Sequence, residues 1–308
     1  MRGSTREFVM TDQHGGPSHG PPKPPIRSAA PRQSRDAPRR GVHVAFAVGL
    51  GITALLVAAA LLSLVWTPSD PLSMSIAARL EGPSRAHPFG TDQYGRDVMA
   101  RVMAGTVTSI TVGVLAVAVG AGVGVPLGVA GGYVGGWLDE VLMRLVDAVQ
   151  GFPAILSALL FNAVLGAGIT ISTVAIGIAF VPAFARLARG SFLELRGREF
   201  VLAAAALGAN DARMIGRHIL PNSLSPLIVQ ATTSFPVAIL AEAALAYLGL
   251  GTQPPQPSWG LMLKEAQNFL SLSPWFALFP GASIALAVLG LNLLGDGLRD
   301  LLHPLRVN

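Results

Sequence analysis

The sequence predicts an all-α, polytopic membrane protein with six transmembrane helices, and three observations carry that expectation. The chain is 51% hydrophobic and only 13% charged, which is more apolar than a soluble domain tolerates. Its apolar residues gather in blocks of about 20, the length that ~30 Å of hydrocarbon requires at ~1.5 Å per residue. Six such blocks can be drawn, at 42–66, 107–130, 146–166, 169–188, 224–250 and 276–295.

Residues 1–41 are basic and proline-rich with almost no apolar run, so they cannot bury a core and are expected to form a disordered cytoplasmic tail, weakly attracted to anionic lipid. The first block ends at Trp66-Thr67-Pro68 without a small-residue cleavage pattern, which marks it as a membrane anchor rather than a signal peptide. Residues 67–106 then form an extracytoplasmic segment, where Asp92, Arg96 and Asp97 offer charges and Tyr94 an amphipathic ring. An interfacial or scoop-like element is expected there, although capping and turn chemistry would account for most of its residues.

From residue 107 to 300 a core of five further spans is expected. In the first of them Ala116, Gly120, Gly124, Gly128 and Gly132 recur every four residues, a small-residue stripe that lets helix backbones pack closely. It could face the bundle or a sister subunit. Pro126, Pro153, Pro182 and Pro236 fall inside apolar blocks and could kink them, either for alternating access or as fixed packing features. The block at 146–166 begins beside Asp147 and holds Gln150 and Pro153, and the block at 224–250 holds Glu242, so these two are the weaker spans by hydropathy. Glu242 reads either as a structural acid bonded to a neighbouring helix or as part of a translocation path.

Between the fourth and fifth spans, within a loop at about 189–222, runs EFVLAAAALGANDARMIGRHILP, residues 199–221. The run Ala203 to Ala206 carries no bulky side chains, and Gly208 permits a sharp turn before a second helical pattern. Leu220-Pro221-Asn222 is expected to end that second helix before the fifth span. Arg213 and Arg217, spaced i and i+4, place two cations on one face. They either meet carboxylates of a partner or lipid phosphates, or simply enforce the positive-inside rule. The segment reads as a docking element for a soluble partner.

Orientation follows from Lys and Arg. With the amino terminus inside, 17 of the 22 cationic residues fall on the inner side, so both termini, including residues 301–308, should be cytoplasmic. The net charge of +5 therefore belongs to membrane flanks and the tail, and no nucleic-acid partner is implied.

Enzymatic chemistry is not expected. The two lysines, Lys23 and Lys264, are followed by Pro24 and Glu265, so neither completes a phosphate-binding loop, and this chain should not hydrolyse ATP. The six histidines are scattered without metal-ligand spacing, and cysteine is absent, so no metal and no cofactor bound by this chain are expected. A secondary carrier is disfavoured, because only Glu242 lies well inside a span while Asp147 and Arg186 lie near ends. The docking hairpin favours a membrane subunit whose energy arrives from outside the chain.

Four stretches carry a family resemblance. The run from His87 to Asp97, the run from Glu199 to Asn222, the residues Ala241-Glu242-Ala243 through Pro257-Ser258-Trp259-Gly260, and the run from Asn292 to Asp300 resemble, in order and spacing, permease subunits of ATP-binding-cassette importers. Specifically, the chain looks like the second of two permeases in the dipeptide, oligopeptide and nickel uptake family, and the resemblance covers residues 42–306. It implies a type I importer permease fold in a bacterial inner membrane, a homologous permease beside it, and two ATP-binding subunits that hold ATP and magnesium. An extracytoplasmic substrate-binding protein completes the set, docking near residues 90–97.

The family's coupling loop maps onto Glu199, Ala203, Ala204, Gly208, Ala209, Asn210, Arg213 and Arg217, and no substrate-contacting residue can be named. Two departures stand out. Leu202 occupies the place of the motif glutamate, with Glu199 as a possible substitute in orienting the loop, and His303 replaces the acid before Pro304. Short peptides are the expected cargo, because no His, Met or carboxylate cluster in the spans would carry a bare metal ion. Nickel or a nickel chelate is the alternative within the family.

Overall fold

The computed structural model describes residues 39–302, with side chains placed from Val44 on. Most of the basic tail, together with His303 and Pro304, lies outside the described residues. Ten helices follow one another: α1 Arg39–Ser63, α2 Val98–Val134, α3 Gly136–Gln150, α4 Ala154–Leu165, α5 Ile169–Arg196, α6 Glu199–Ala206, α7 Asp211–Arg213, α8 Leu220–Tyr247, α9 Trp259–Ala266 and α10 Trp275–Leu302. Five stretches are long and apolar enough to cross a membrane, and α3 with α4 makes a sixth if that bent pair is one span.

Several boundaries differ from the expected ones. α1 already begins at Arg39, and α2 at Val98, well ahead of residue 107. The early start of α2 has a local cause: Asp97 caps it, accepting from the Ala100 amide at 2.8 Å, and the helix needs no apolar residues for a turn that the protein itself buries. At its other end Gly135 adopts φ 69° and its amide closes on the Gly131 carbonyl, so the chain turns directly into α3.

The block at 146–166 is not one helix. α3 and α4 meet at 84° across Gly151-Phe152-Pro153, because Pro153 has no amide to donate and drives Phe152 out of the helical region. Pro126, Pro182 and Pro236, in contrast, sit inside helices that continue past them. Nor does Leu220-Pro221-Asn222 end a helix. From Asp211 to Tyr247 the chain is one helical run of 37 residues, passing through a π-helical turn at Met214–Ile219. There the Leu220 amide reaches back to Ile215, and the Asn222 side chain donates to the His218 carbonyl at 2.6 Å. That wider turn accommodates the ring of Pro221, which has no amide to donate.

The core lies along the seam of α2 and α5. Gly120, Gly124 and Gly128 face α5 of the same chain, which resolves the direction of the stripe. A Cβ on Gly120 would stand 2.6 Å from Phe180 Cβ, and one on Gly124 would stand 2.6 Å from the Val181 carbonyl oxygen. Gly177 on α5 answers them, its missing Cβ lying 3.0 Å from the Ala116 carbonyl oxygen. Without side chains the two backbones approach until dispersion contact is continuous, which is the main attraction available where lipid is as apolar as leucine. Val112, Ala116, Phe184 and Ala188 are buried around the seam, and Leu227, Ala238 and Leu245 of α8 close it.

Replacing Gly124 by Leu should therefore lower the thermal midpoint of the purified protein, as overpacking by about 1–3 kcal/mol does. Gly122→Leu, where nothing lies within 4 Å of an added Cβ, should leave the midpoint unchanged. Equal effects at the two positions would show that the stripe does not set the seam.

Candidate functional site

At one end of the bundle α5 runs out at Arg196 and the chain reverses through α6. Its turn is built from backbone chemistry. Gly208 stands at φ 81°, its amide donating to the Ala205 carbonyl at 2.9 Å while the Ala209 amide donates to Ala204 at 3.1 Å. Those two bonds satisfy the last carbonyls of α6, and the left-handed conformation is one that glycine adopts without Cβ strain. Asn210 then caps the next helix, its side-chain oxygen accepting from the Arg213 amide at 2.9 Å.

What orients this hairpin is apolar. Phe192 of α5, Val201 of α6, and Met214 and Ile219 of the π-turn are buried together, with Ala204 and Ala209 packed against them. Glu199 is exposed in the first turn of α6 and forms none of the salt bridges found among the described residues, so the proposed substitution for the motif glutamate has no geometric support. Ala203, Gly208, Asn210, Arg213 and Arg217 are exposed, whereas Ala204 and Ala209 are half-buried.

The hairpin also presents residues that sequence reasoning passed over. Leu207, at its tip, is 89% exposed, and Phe200 and Leu202 are exposed on α6. The run of alanines drew attention to what is small. The signal missed was a leucine directly before the turning glycine, where a solvated connector would carry a polar residue. A small, apolar, open surface of this kind can accept a groove on another protein, and the exposed Arg198, Arg213 and Arg217 lie beside it.

The opposite end carries residues 64–97 and 248–274. Asp92, Arg96 and Asp97 are there, but as buried groups rather than offered charges. Asp92 accepts from the amides of Tyr94 and Arg96 at 2.8 and 3.0 Å, and from Arg96 Nε at 2.6 Å. Arg96 continues to Glu265 at 3.2 Å, and Glu265 accepts from Arg101 Nη2 at 2.7 Å. Arg101 is fully buried, with Nε and Nη1 lacking hydrogen-bond partners. Asp97 adds a 2.8 Å hydrogen bond to His87 Nδ1. Neither Arg101 nor Glu265 was singled out from the sequence, since their meeting joins positions 164 residues apart.

Glu242, the acid deep in α8, is also inside the protein. It accepts from Ser109 at 3.3 Å and Thr252 at 3.2 Å, and Ser258 adds a third hydroxyl. The carboxyl thereby ties α2, α8 and the segment entering α9 together, in keeping with the structural reading of this residue. Trp259 seals the same corner, fully buried, its indole donating to the Val102 carbonyl at 3.2 Å.

Comparison with known proteins places this architecture. Residues 124–307 match the family described as binding-protein-dependent transport system inner membrane component. The dipeptide transport system permease protein DppC of Alkalihalophilus pseudofirmus is 43% identical over 257 residues, covering 83% of this chain and 84% of that one. The glutathione transport system permease protein GsiD of Salmonella typhimurium is 46% identical over 266 residues, covering 86% and 88%. Among solved structures, a chain of the inward-facing MetNI methionine ABC transporter superimposes with a TM-score of 0.55 at 17% identity, over 66% of this chain and 97% of that one, a likeness of fold.

The buried charge cluster makes a stability prediction. Arg101→Leu leaves Glu265 without its closest partner and should cost about 3–5 kcal/mol, whereas the double change Arg101→Leu with Glu265→Leu should recover most of that loss. A double-mutant cycle by thermal unfolding measures both.

Proposed function

Because the chain belongs to the family of binding-protein-dependent transport system inner membrane components, we propose that it is one of two permease subunits of an ATP-driven importer of di- or oligopeptides. The observation that carries the proposal is the exposed hairpin of Glu199–Arg217, held at a set angle by a buried apolar cluster. In this reading the hairpin seats in a groove of an ATP-binding subunit. Because α6 packs through that apolar cluster onto α5 and the π-turn, and the π-turn runs on into α8, displacement of the hairpin is passed to the long helices. ATP hydrolysis, with its magnesium, belongs to two such partner subunits.

A homologous permease completes the pathway, and a binding protein delivers cargo to the end that carries residues 64–97. That end faces outward and the hairpin end is cytoplasmic, the orientation favoured by the distribution of arginine and lysine. Peptide cargo is supported by the names of the relatives, which are transport permeases for dipeptides and glutathione. Selection among peptides falls mainly to the binding protein. Nickel import is the outcome against which the cargo is tested.

Three measurements test this reading. A cysteine at Ala209, in a chain without native cysteine, should resist an impermeant thiol reagent applied to intact cells and react in inverted vesicles; labelling from outside would reverse the orientation. Gly208→Glu adds a charge to the contact and places a side chain at φ 81°, a strain of about 1–2 kcal/mol. The variant should insert normally yet lose most peptide uptake, by failing to bind the ATPase or by hydrolysing ATP without transport. Deletion of the gene should abolish uptake of labelled di- to oligopeptides and leave nickel accumulation unchanged.

A further inference from the structure

At the looped end of the bundle the chain leaves α8 through residues 248–258, a loop pinned at several points. The Leu250 carbonyl accepts from the Ser172 hydroxyl at 3.0 Å and from the Gly168 amide at 3.2 Å. The Gln253 side-chain amide donates back to the Gly249 and Gly251 carbonyls at 2.9 and 3.1 Å. At the base, Thr252 donates to the Glu242 carboxyl at 3.2 Å and Ser258 bonds the same group, so one buried acid closes both ends of the span between them.

Burial reverses between those two anchors. Thr252, Pro257 and Ser258 are buried, whereas Gln253, Pro254, Pro255 and Gln256 are exposed. What stands out from the surface is a short ridge of two proline rings and a glutamine amide. Proline fixes φ and the chain on either side is held, so little conformational freedom is left to lose when another molecule sits on the ridge.

Lys264 of α9 lies alongside. Its Nζ fills the place where Gly249, at φ 86°, has no side chain. The residue is half-buried and takes part in no salt bridge among the described residues, since the adjacent Glu265 is already committed to Arg96 and Arg101. An unpaired ammonium therefore accompanies the ridge. Asp92, Arg96 and Asp97, in contrast, are satisfied inside the protein and have no charge to offer a partner.

Resting on the importer reading above and its orientation, we propose that the ridge at 254–256, together with Lys264, is a seat for the extracytoplasmic binding protein, which sets a carboxylate against the ammonium. Gln256 adds a donor and an acceptor, and the proline rings add apolar contact without direction. The contact is small, as suits an encounter that must end once cargo has passed. Glu242 is a positioning residue in this arrangement: it touches no partner, and it sets the ridge through Thr252 and Ser258.

The test uses the complete transporter, with both permeases and the ATPase subunits, in nanodiscs, together with purified binding protein. Benzophenone maleimide attached to Gln256→Cys should, on illumination, give an adduct with the binding protein above the background of the unsubstituted chain. No adduct, or an adduct with the sister permease alone, overturns the seat. Lys264→Gln should raise the half-saturating concentration of binding protein about tenfold and flatten its dependence on salt, as loss of an interfacial ion pair does. Unaltered half-saturation or salt dependence would reject the carboxylate contact. Thr252→Val removes one strut beneath the surface and should weaken docking about fivefold, the worth of one hydrogen bond, while the ATPase subunits stay bound; undiminished docking would end the positioning role of Glu242. Failure of the importer reading would appear separately, as absence of dipeptide uptake when the wild-type transporter and binding protein are combined in proteoliposomes.

Discussion

Close approach of α2 and α5 is the constraint on which the rest of this structure depends. Lipid supplies no hydrophobic drive between helices, so association rests on contact that side chains larger than hydrogen would prevent. Gly120, Gly124 and Gly128 on one side and Gly177 on the other remove that obstacle. Once the two longest-buried helices are set, α8 packs across them, and α5 delivers α6 to the hairpin end at a defined angle. A separation larger by one methyl group at the seam would be felt at both ends of the bundle.

Charged residues are sorted by what each location can tolerate. At the looped end two arginines and two carboxylates neutralise one another in a buried cluster, where removal of any one leaves an uncompensated partner. Glu242 is held by hydroxyls from three places in the chain, which gives a buried acid partners without a second charge. At the hairpin end Arg213 and Arg217 stay in water. Arg186 and Asp147, near the ends of their spans, form a pair that stays open at the surface.

The hairpin is an exposed turn held by backbone hydrogen bonds and apolar packing. Its turn uses two backbone bonds around Gly208 and one cap from Asn210, and its orientation uses four buried apolar side chains. The exposed remainder is small or aliphatic. The chain continues from there into α8 through a π-turn that keeps the helix continuous, and the same turn makes room for Pro221.

The sequence by itself determined the fold class, the membrane setting, the approximate places of the apolar spans, the glycine stripe and the hairpin with its glycine turn. Those features are local: hydropathy over about 20 residues, a four-residue repeat, and a turn chemistry that reads along the chain. Only the tertiary structure decided that the stripe faces α5, that the third span breaks at Pro153, and that helix continues through Pro221. It alone brought Arg101 to Glu265 and set Leu207 in the open. Each of these depends on which residues meet across long separations or on how a helix satisfies its carbonyls around a proline, and pairwise meeting of that kind has no periodicity to read in one strand of sequence.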